Sequence, residues 1–365
     1  CMQAPGGDRV MLLLKTGATE LYQKLPFHFS TTLKCVPNFL IVSDMEHTIA
    51  EHVIFDAIAP VSAYRKQHQE FELYRQLQQA RKDGRDPSEI QREGAWMLDK
   101  WKFLPMLHKA FEIASETIDW FVIIEADTSL SWTNLLQVLQ RLDHTEPVYL
   151  GAEDAMGASS YAQGGAGIVL SREALRMLED VRNSEGAAEY DARWEKDTSE
   201  HCCGDEILSR ALLEAGVWLD ATWPLFQSET LSSIDWTNKH WCSPAITWHH
   251  VTPFGLSEMW QFERAWIDGH GWREPYLYRD VFAHFIAPQI STNRSNWNNL
   301  SADKKFTNPQ LDQFSPWETL KDFERAATES QDACAQACLH PLYSDCTQWM
   351  YLYGRCHLGN SLKYG

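Results

Sequence analysis

The sequence predicts an α/β fold with a small cysteine-stapled unit at its end. Three observations carry this reading: apolar runs of strand length alternate with mixed-polarity stretches of helix length, acidic residues close several of the runs, and four cysteines fall in the last 32 residues. Apolar strands separated by helices read as βαβ units in a mostly parallel sheet covered on both faces.

The elements follow in order. Residues 10–14, Val-Met-Leu-Leu-Leu, form a strand closed by Lys15-Thr16-Gly17, and Asn-Phe-Leu-Ile-Val-Ser-Asp at 38–44 repeats the pattern. Residues 20–33 supply the crossover helix between them. A charged helix is predicted over 63–82, stopped by Asp83-Gly84-Arg85-Asp86-Pro87, and another over 98–115. The strand Trp-Phe-Val-Ile-Ile at 120–124 ends in Glu125-Ala126-Asp127. A helix over 135–142, a strand over 148–150, a glycine turn at 162–167 and a strand over 168–170 come next, followed by helices over 171–181 and 205–215. From 218 to 253 the chain reads as irregular and rich in Trp, His and Pro. Domain expectations are an α/β unit over 1–268, a surface-wrapping linker over 269–318 and a stapled module over 319–365. In that module Cys334-x3-Cys338-x7-Cys346-x9-Cys356 brackets a short helix at 332–339 and a strand at 346–352.

Composition excludes several classes. The 365 residues hold 32 basic and 50 acidic side chains, a net charge of −18, so most of the surface repels nucleic acid and anionic membranes. Hydrophobic residues make up 44 % and aromatics 12 %, which excludes general disorder. Nine cysteines point to an oxidising compartment, and the sequons Asn293-Arg294-Ser295 and Asn299-Leu300-Ser301 agree with it. No apolar run reaches membrane-span length, so an anchor is expected only upstream of this chain.

Chemistry is expected at the strand ends. In open α/β sheets ligands sit beyond the carboxyl ends of the strands, where Lys15-Thr16, Asp44 and Glu125-x-Asp127 would converge. Two carboxylates of that kind suit a hard divalent cation on a diphosphate, although such pairs also serve as helix caps or solvated turns. Trp248-His249-His250-Val251 could return a nitrogen ligand to the crevice, and spacing leaves both histidines open. Asp205 starts a helix after Cys202-Cys203-Gly204, where a plain cap is the competing reading. Lys102 is either a phosphate contact or a helix-surface lysine. The tryptophans between 218 and 260 are either core or stacking surfaces.

Taken together, Leu-Leu-Leu-Lys15-Thr16, Ile-Val-Ser43-Asp44, Glu125-Ala126-Asp127-Thr128, Tyr149-Leu-Gly151, Gly164-Gly165-Ala166-Gly167, Gly204-Asp205-Glu206 and Trp248-His249-His250-Val251-Thr252-Pro253 resemble, in order, the Fringe-like and core-1-galactosyltransferase-like β1,3-glycosyltransferases of family 31. The resemblance covers about residues 9–265. It implies a GT-A nucleotide-sugar-binding sandwich that uses Mn²⁺ and a UDP-sugar, inverts the anomeric centre and transfers a hexose or N-acetylhexosamine to a glycan or glycoprotein hydroxyl. The family's Asp-x-Asp falls on Glu125-Ala126-Asp127, which makes Asp127 the metal ligand. His249 matches the family's metal-binding histidine better than His250, and Asp205 matches its base. Thr16, Asp44, Lys102, Glu125, Ala126, Gly164 and Gly165 would surround the donor. A catalytically silent carbohydrate- or protein-binding shell is the alternative, allowed by Glu at the first acidic place.

The C-terminal unit resembles a PAN/apple module, a resemblance that implies the nested pairs Cys334–Cys356 and Cys338–Cys346 and a protein or carbohydrate ligand. The pairing of Cys35, Cys202, Cys203 and Cys242 stays open among three schemes, with Cys1 expected to stand unpaired. Such enzymes reside in the Golgi lumen as type II membrane proteins; the expected location is the Golgi lumen or secretory pathway, or secretion.

Overall fold

The computed structural model describes residues 1, 4–49, 51–91, 93–157 and 159–365. It divides into two compact units, Cys1–Ser228 with Pro244–Tyr276 and Glu229–Ser243 with Leu277–Gly365.

The first unit is built on strands β1 (Val10–Lys15), β2 (Asn38–Ser43), β3 (His47–Ile49), β4 (His52–Asp56), β5 (Trp120–Glu125), β6 (Ser129–Leu130), β7 (Tyr149–Gly151), β8 (Glu153–Met156), β9 (Ser159–Ala162), β10 (Ile168–Ser171), β11 (Leu219–Ala221) and β12 (Thr247–Trp248). Eight of them form one sheet in the order β11-β7-β10-β5-β1-β2-β4-β3. Pairs β1/β2, β1/β5, β2/β4 and β7/β11 are parallel, whereas β10 runs antiparallel to β5 and β7, and β3 to β4. The sheet is therefore mixed rather than mostly parallel, because β10 returns through the Gly164–Gly167 turn instead of through a crossover helix.

The continuous apolar runs have a direct physical cause. Side chains alternate faces along a strand, and here both faces are covered. Val10, Leu12 and Leu14 of β1 join Trp120, Val122 and Ile124 of β5 in one core cluster, while Met11, Leu13, Phe121 and Ile123 join another. Burying each such aliphatic or aromatic side chain stabilises the fold by ~1.5–3 kcal/mol. Helices α1 (Leu21–Ser30), α2 (Glu72–Asp83), α3 (Ala95–Asp99) and α5 (Trp132–Leu139) feed the first cluster. Helices α4 (Phe103–Ile113), α6 (Arg172–Glu185), α7 (Ala187–Glu200) and α8 (Gly204–Glu214) feed the second. Helix α9 (Pro253–His270) completes the unit.

The expected helix over 98–115 is broken at residues 100–102 into α3 and α4, and the one over 63–82 begins only at Glu72. Helices α7 and α9 lie where no helix was expected. For α9 the start signal was present: Thr252 Oγ1 accepts the Gly255 amide at 3.1 Å and Pro253 occupies the first turn.

The second unit holds α10 (Tyr278–Val281), β13 (Lys304–Thr307), α11 (Asp322–Ala326), α12 (Gln331–Cys338), β14 (Gln348–Leu352) and β15 (Arg355–Gly359). Its antiparallel sheet has the order β13-β15-β14. Since β13 pairs with β15, residues expected to be linker belong to this sheet, and the observed unit takes in Glu229–Ser243 as well. The boundaries thus differ from those expected after 268 and 318. Trp236 N donates to Leu362 O at 2.8 Å, which attaches that earlier stretch. The small core contains Phe306, Ala337 and Leu358 around Cys334, Cys338 and Cys356. Disulfides Cys334–Cys356 and Cys338–Cys346 tie α12 to the sheet and to the loop before β14, as a core this small requires.

In the first unit Cys1 bonds to Cys35 and Cys202 to its neighbour Cys203, so Cys1 is not the unpaired residue. Cys242 is free and exposed. No helix among the described residues is long and apolar enough to cross a membrane.

Candidate functional site

The carboxyl ends of β1, β2 and β5 meet in register. Lys15 and Glu125 are direct partners across the β1/β5 pair, and Val42, next to Ser43-Asp44, is the partner of Lys15 across β1/β2. Ala126 sits in the core beside them; its amide donates to Lys15 O at 3.0 Å and its carbonyl accepts from His28 Nε2 at 2.9 Å. Thr128 Oγ1 accepts the Glu125 amide at 3.3 Å and donates to Gly165 O at 2.8 Å, closing the loop against the glycine turn.

A short antiparallel pair supplies the imidazoles. β12 pairs with β6, Trp248 opposite Ser129, and the Val251 amide donates to Asp127 O at 2.8 Å. His249 Nε2 then lies 3.6 Å from Asp127 Oδ1 and 3.7 Å from Glu125 Oε2. His250 Nδ1 lies 4.0 Å from Asp127 Oδ2, and the two rings stack at 3.8 Å between centroids. Asp127, His249 and His250 offer ligand atoms all within 4.8 Å of one another. One carboxylate and two imidazoles suit Mn²⁺ or another borderline divalent cation, so the residues present fit the metal that the resemblance implies. His249 is buried and His250 exposed.

Charge follows the geometry. Burial pulls the His249 imidazole down, but hydrogen bonds and charge from Asp127 and Glu125 outweigh it and hold the pKa at about 9. Burial raises both carboxyls; Lys15 and His249 nonetheless hold Glu125 well below the usual range, and His249 with Lys24 does the same for Asp127. Lys24 Nζ stands 3.4 Å from Asp127 Oδ2 and 2.9 Å from Glu20 Oε2.

Glycines 164 and 165 form the wall of this cluster. A Cβ at Gly165 would come within 2.1 Å of His249 Cε1, so only glycine fits against that ring. The Gly164 amide donates to Asp205 Oδ2 at 2.9 Å, and the Glu206 amide to Asp205 Oδ1 at 3.0 Å. Cys203 is the N-cap of α8, and Asp205 lies in its first turn. Burial pushes the Asp205 carboxyl up against the opposing pull of the Gly164 amide.

At the other end of the crevice Asp44 Oδ1 accepts the Ala18 amide at 2.7 Å, and Lys102 Nζ lies 3.3 Å from Asp44 Oδ2 while donating to Thr16 O at 2.8 Å. Lys102 is 2 % exposed, which removes the helix-surface reading. Its ammonium is spent on Asp44, Asp99 and Thr16, so it holds the pocket wall together. The α3–α4 break makes this contact available. Sequence reasoning missed Asp99 and Lys24 as members of the site. Asp99 pairs with both Lys15 and Lys102, and the break that places it carries no spacing signal. Of the tryptophans between 218 and 260, Trp236 and Trp248 are core, whereas Trp218 and Trp223 are exposed.

The mixed α/β sheet that carries this crevice fits a GT-A-like fold. Residues 98–210 match the family model described as Fringe-like. The matched part contains Lys102, Glu125, Asp127, Gly164, Gly165 and Asp205. Among curated proteins, a β-1,3-glucosyltransferase of Mus musculus is 37% identical over 81 residues, 21% of this chain and 17% of the relative. The Homo sapiens β-1,3-glucosyltransferase is 36% identical over 81 residues, 21% and 16%. A glycoprotein-N-acetylgalactosamine 3-beta-galactosyltransferase 1 of Xenopus laevis is 34% identical over 84 residues, 22% and 23%. Over this segment the chain is similar to the Fringe-like family and to β-1,3-glycosyltransferases. The matches span less than a quarter of the length of these relatives.

Proposed function

We propose that this protein is an inverting, metal-dependent glycosyltransferase that moves a hexose or N-acetylhexosamine from a UDP-sugar to a hydroxyl of a glycan or glycoprotein in β1,3 linkage. One observation carries the reading: the glycine pair Gly164-Gly165 touches Asp205 through one residue and His249 through the other. A carboxylate raised by burial therefore stands across a side-chain-free wall from a carboxylate–imidazole cluster.

Inversion needs a single displacement, with the acceptor oxygen entering opposite the departing UDP. Asp205 takes the acceptor proton as the oxygen attacks the anomeric carbon; the amides of Gly164 and Glu206 keep the carboxylate oriented. Asp127 and His249 would hold Mn²⁺, which when bound offsets charge on the departing diphosphate. Thr16 and Asp44 border the uridine, with Asp44 fixed by Lys102 and the Ala18 amide. Gly164 and Gly165 give the donor sugar a flat backbone surface. The names of the relatives support a hexose and the β1,3 linkage.

The same proposal extends to the rest of the chain. The C-terminal unit is a PAN/apple-like module binding protein or carbohydrate, supported by its two nested disulfides. The protein works in the Golgi lumen, supported by the extent of disulfide pairing.

Turnover tests the reading. Purified chain with Mn²⁺ should release UDP from one of UDP-Gal, UDP-Glc, UDP-GlcNAc or UDP-GalNAc, and chelation should stop it. The engagement of Glu125 by Lys15 favours the second reading, a silent sugar-binding shell. Absence of Mn²⁺-dependent turnover across all four donors would establish that alternative.

A further inference from the structure

We infer that Asn293 is an N-glycosylation site and that Asn299, in an equally valid sequon close by, is closed to glycan in the folded chain. The two sequons are indistinguishable as text; the structure makes them opposites.

Asn299 is 5% exposed, and its side chain is consumed by the fold. Nδ2 donates to Trp349 O at 2.9 Å, on β14. Oδ1 accepts from the Ser301 amide at 3.2 Å and from Ser301 Oγ at 2.8 Å. Gln348 Nε2 donates to Asn299 O at 2.8 Å, pinning the backbone to the same strand. Ser301 is buried as well. A sugar on this Nδ2 would have to stand where β14 runs, so a glycan here and the folded C-terminal unit exclude each other.

Asn293 differs on each count. It is exposed, as are Arg294 and Ser295. Among the described residues no hydrogen bond engages its side chain; only its carbonyl accepts, from Ser291 Oγ at 3.0 Å. The sequon is nevertheless held in place by Arg294. That guanidinium lies 5.3 Å from the Trp297 ring centroid and 5.6 Å from that of Tyr364, and donates to Tyr364 Oη at 2.9 Å. An arginine stacked and hydrogen-bonded in this way fixes the backbone while its two neighbours stay in solvent.

The compartment is supplied by the cysteines. Eight are paired, and disulfides persist where chains pass through the secretory lumen, which is also where the sequon is read. The modification requires a polyisoprenyl-diphosphate-linked oligosaccharide as co-substrate. Asn293 Nδ2 attacks C1 of its first N-acetylhexosamine, and the C1–O bond to the diphosphate breaks. The diphosphate leaves with the electron pair, Nδ2 gives one proton to a base of the transferring enzyme, and no redox change occurs.

The test is site-resolved glycan mapping of the full chain secreted from a eukaryotic host. Peptides are treated with an amidase that removes N-glycans in H₂¹⁸O, which labels each formerly occupied asparagine as aspartate. Label at Asn293 with Asn299 unlabelled is the expected result. Asn293→Gln and Ser295→Ala should each lower the intact mass by the whole glycan, and Ser301→Ala should leave the glycan mass unchanged. If a variant is not secreted, the wild-type map decides alone. Secreted chain bearing glycan on Asn299, or bearing none on Asn293, overturns the inference.

Discussion

Lys15 and Glu125 are partners in register on adjacent parallel strands, and their side chains meet at 3.0 Å from Nζ to Oε1. Lys15 also pairs with Asp99 and is almost wholly buried, so one ammonium neutralises two carboxylates at the mouth of the crevice. Further charges of alternating sign extend the series, from Asp44 through Lys102 and Asp99 to Lys15, then through Glu125 and His249 to Asp127 and Lys24. In a chain of net charge −18 this is how an acidic site is kept from repelling itself. Lys15→Met should leave Glu125 with only His249 and Asp99 with only Lys102 opposite them and destabilise the first unit by about 3 kcal/mol, the low end for breaking a buried pair because both carboxylates keep a partner and some exposure. Urea denaturation of variant and wild type measures it. A loss below ~1 kcal/mol would show that the site does not depend on this pairing.

Gly165 abuts the His249 ring so closely that an added methyl must displace it. The ring cannot yield cheaply, since it is buried, stacked on His250 and drawn to Asp127. Gly165→Ala should therefore weaken Mn²⁺ binding by roughly 10–100-fold, the effect of misorienting a ligand from its outer shell. Calorimetric titration of Mn²⁺ reads the affinity, and circular dichroism verifies the fold. Unchanged affinity in a folded variant would remove His249 from the proposed metal set.

How far the fold was legible varies with how local its cause is. β1 and β5 were readable because burial on both faces leaves an uninterrupted apolar run of strand length. β3 and β4 were not, since His47–Ile49 and His52–Asp56 mix polar residues over too few positions. The direction of β10 depends on what the Gly164–Gly167 turn packs against, which no periodicity encodes. Asp127, Asp205 and His249 could be picked out in the sequence through the order of short motifs. Asp99 and Lys24 could not, because each looks like an ordinary surface charge until the α3–α4 break and α1 bring it to the crevice. Cys1 likewise finds Cys35 only in three dimensions.

In the proposed mechanism Asp205 carries the chemistry and Asp127 the metal-dependent binding. Asp205 is held by two backbone amides, and asparagine can keep one oxygen in the same place while losing basicity. Asp205→Asn should lower transfer by about 10²–10⁴-fold with UDP affinity within a few-fold of wild type. Asp127→Ala removes the carboxylate from the cluster with His249 and should abolish the Mn²⁺-dependent part of UDP binding instead. Initial rates together with UDP titrations with and without Mn²⁺ distinguish the two. Full transfer in Asp205→Asn would exclude it as the base.

Glu263 gives the fold its own pH response, away from the crevice. Its carboxyl lies buried against the start of α5, where Oε1 accepts the Thr133 amide at 2.7 Å and Ser131 Oγ at 3.2 Å. Burial raises its pKa to about 7 from an ordinary 4.5, against the lowering pull of those donors and of Arg264. The folded chain thus binds a proton more tightly than the unfolded one. This contribution to stability is complete below about pH 4.5 and is lost as the pH rises through about 7, because the unfolded state then ionises more readily. Glu263→Gln keeps an acceptor oxygen for the same donors and does not titrate. Thermal melts from pH 5 to pH 8 should show the variant gaining on wild type as the pH rises, with the difference growing most between about pH 5 and 7 and levelling off above about 7. A wild-type minus variant difference that stays flat across this range would mean that Glu263 is already ionised in the folded chain, held by the α5 amides rather than neutralised by burial.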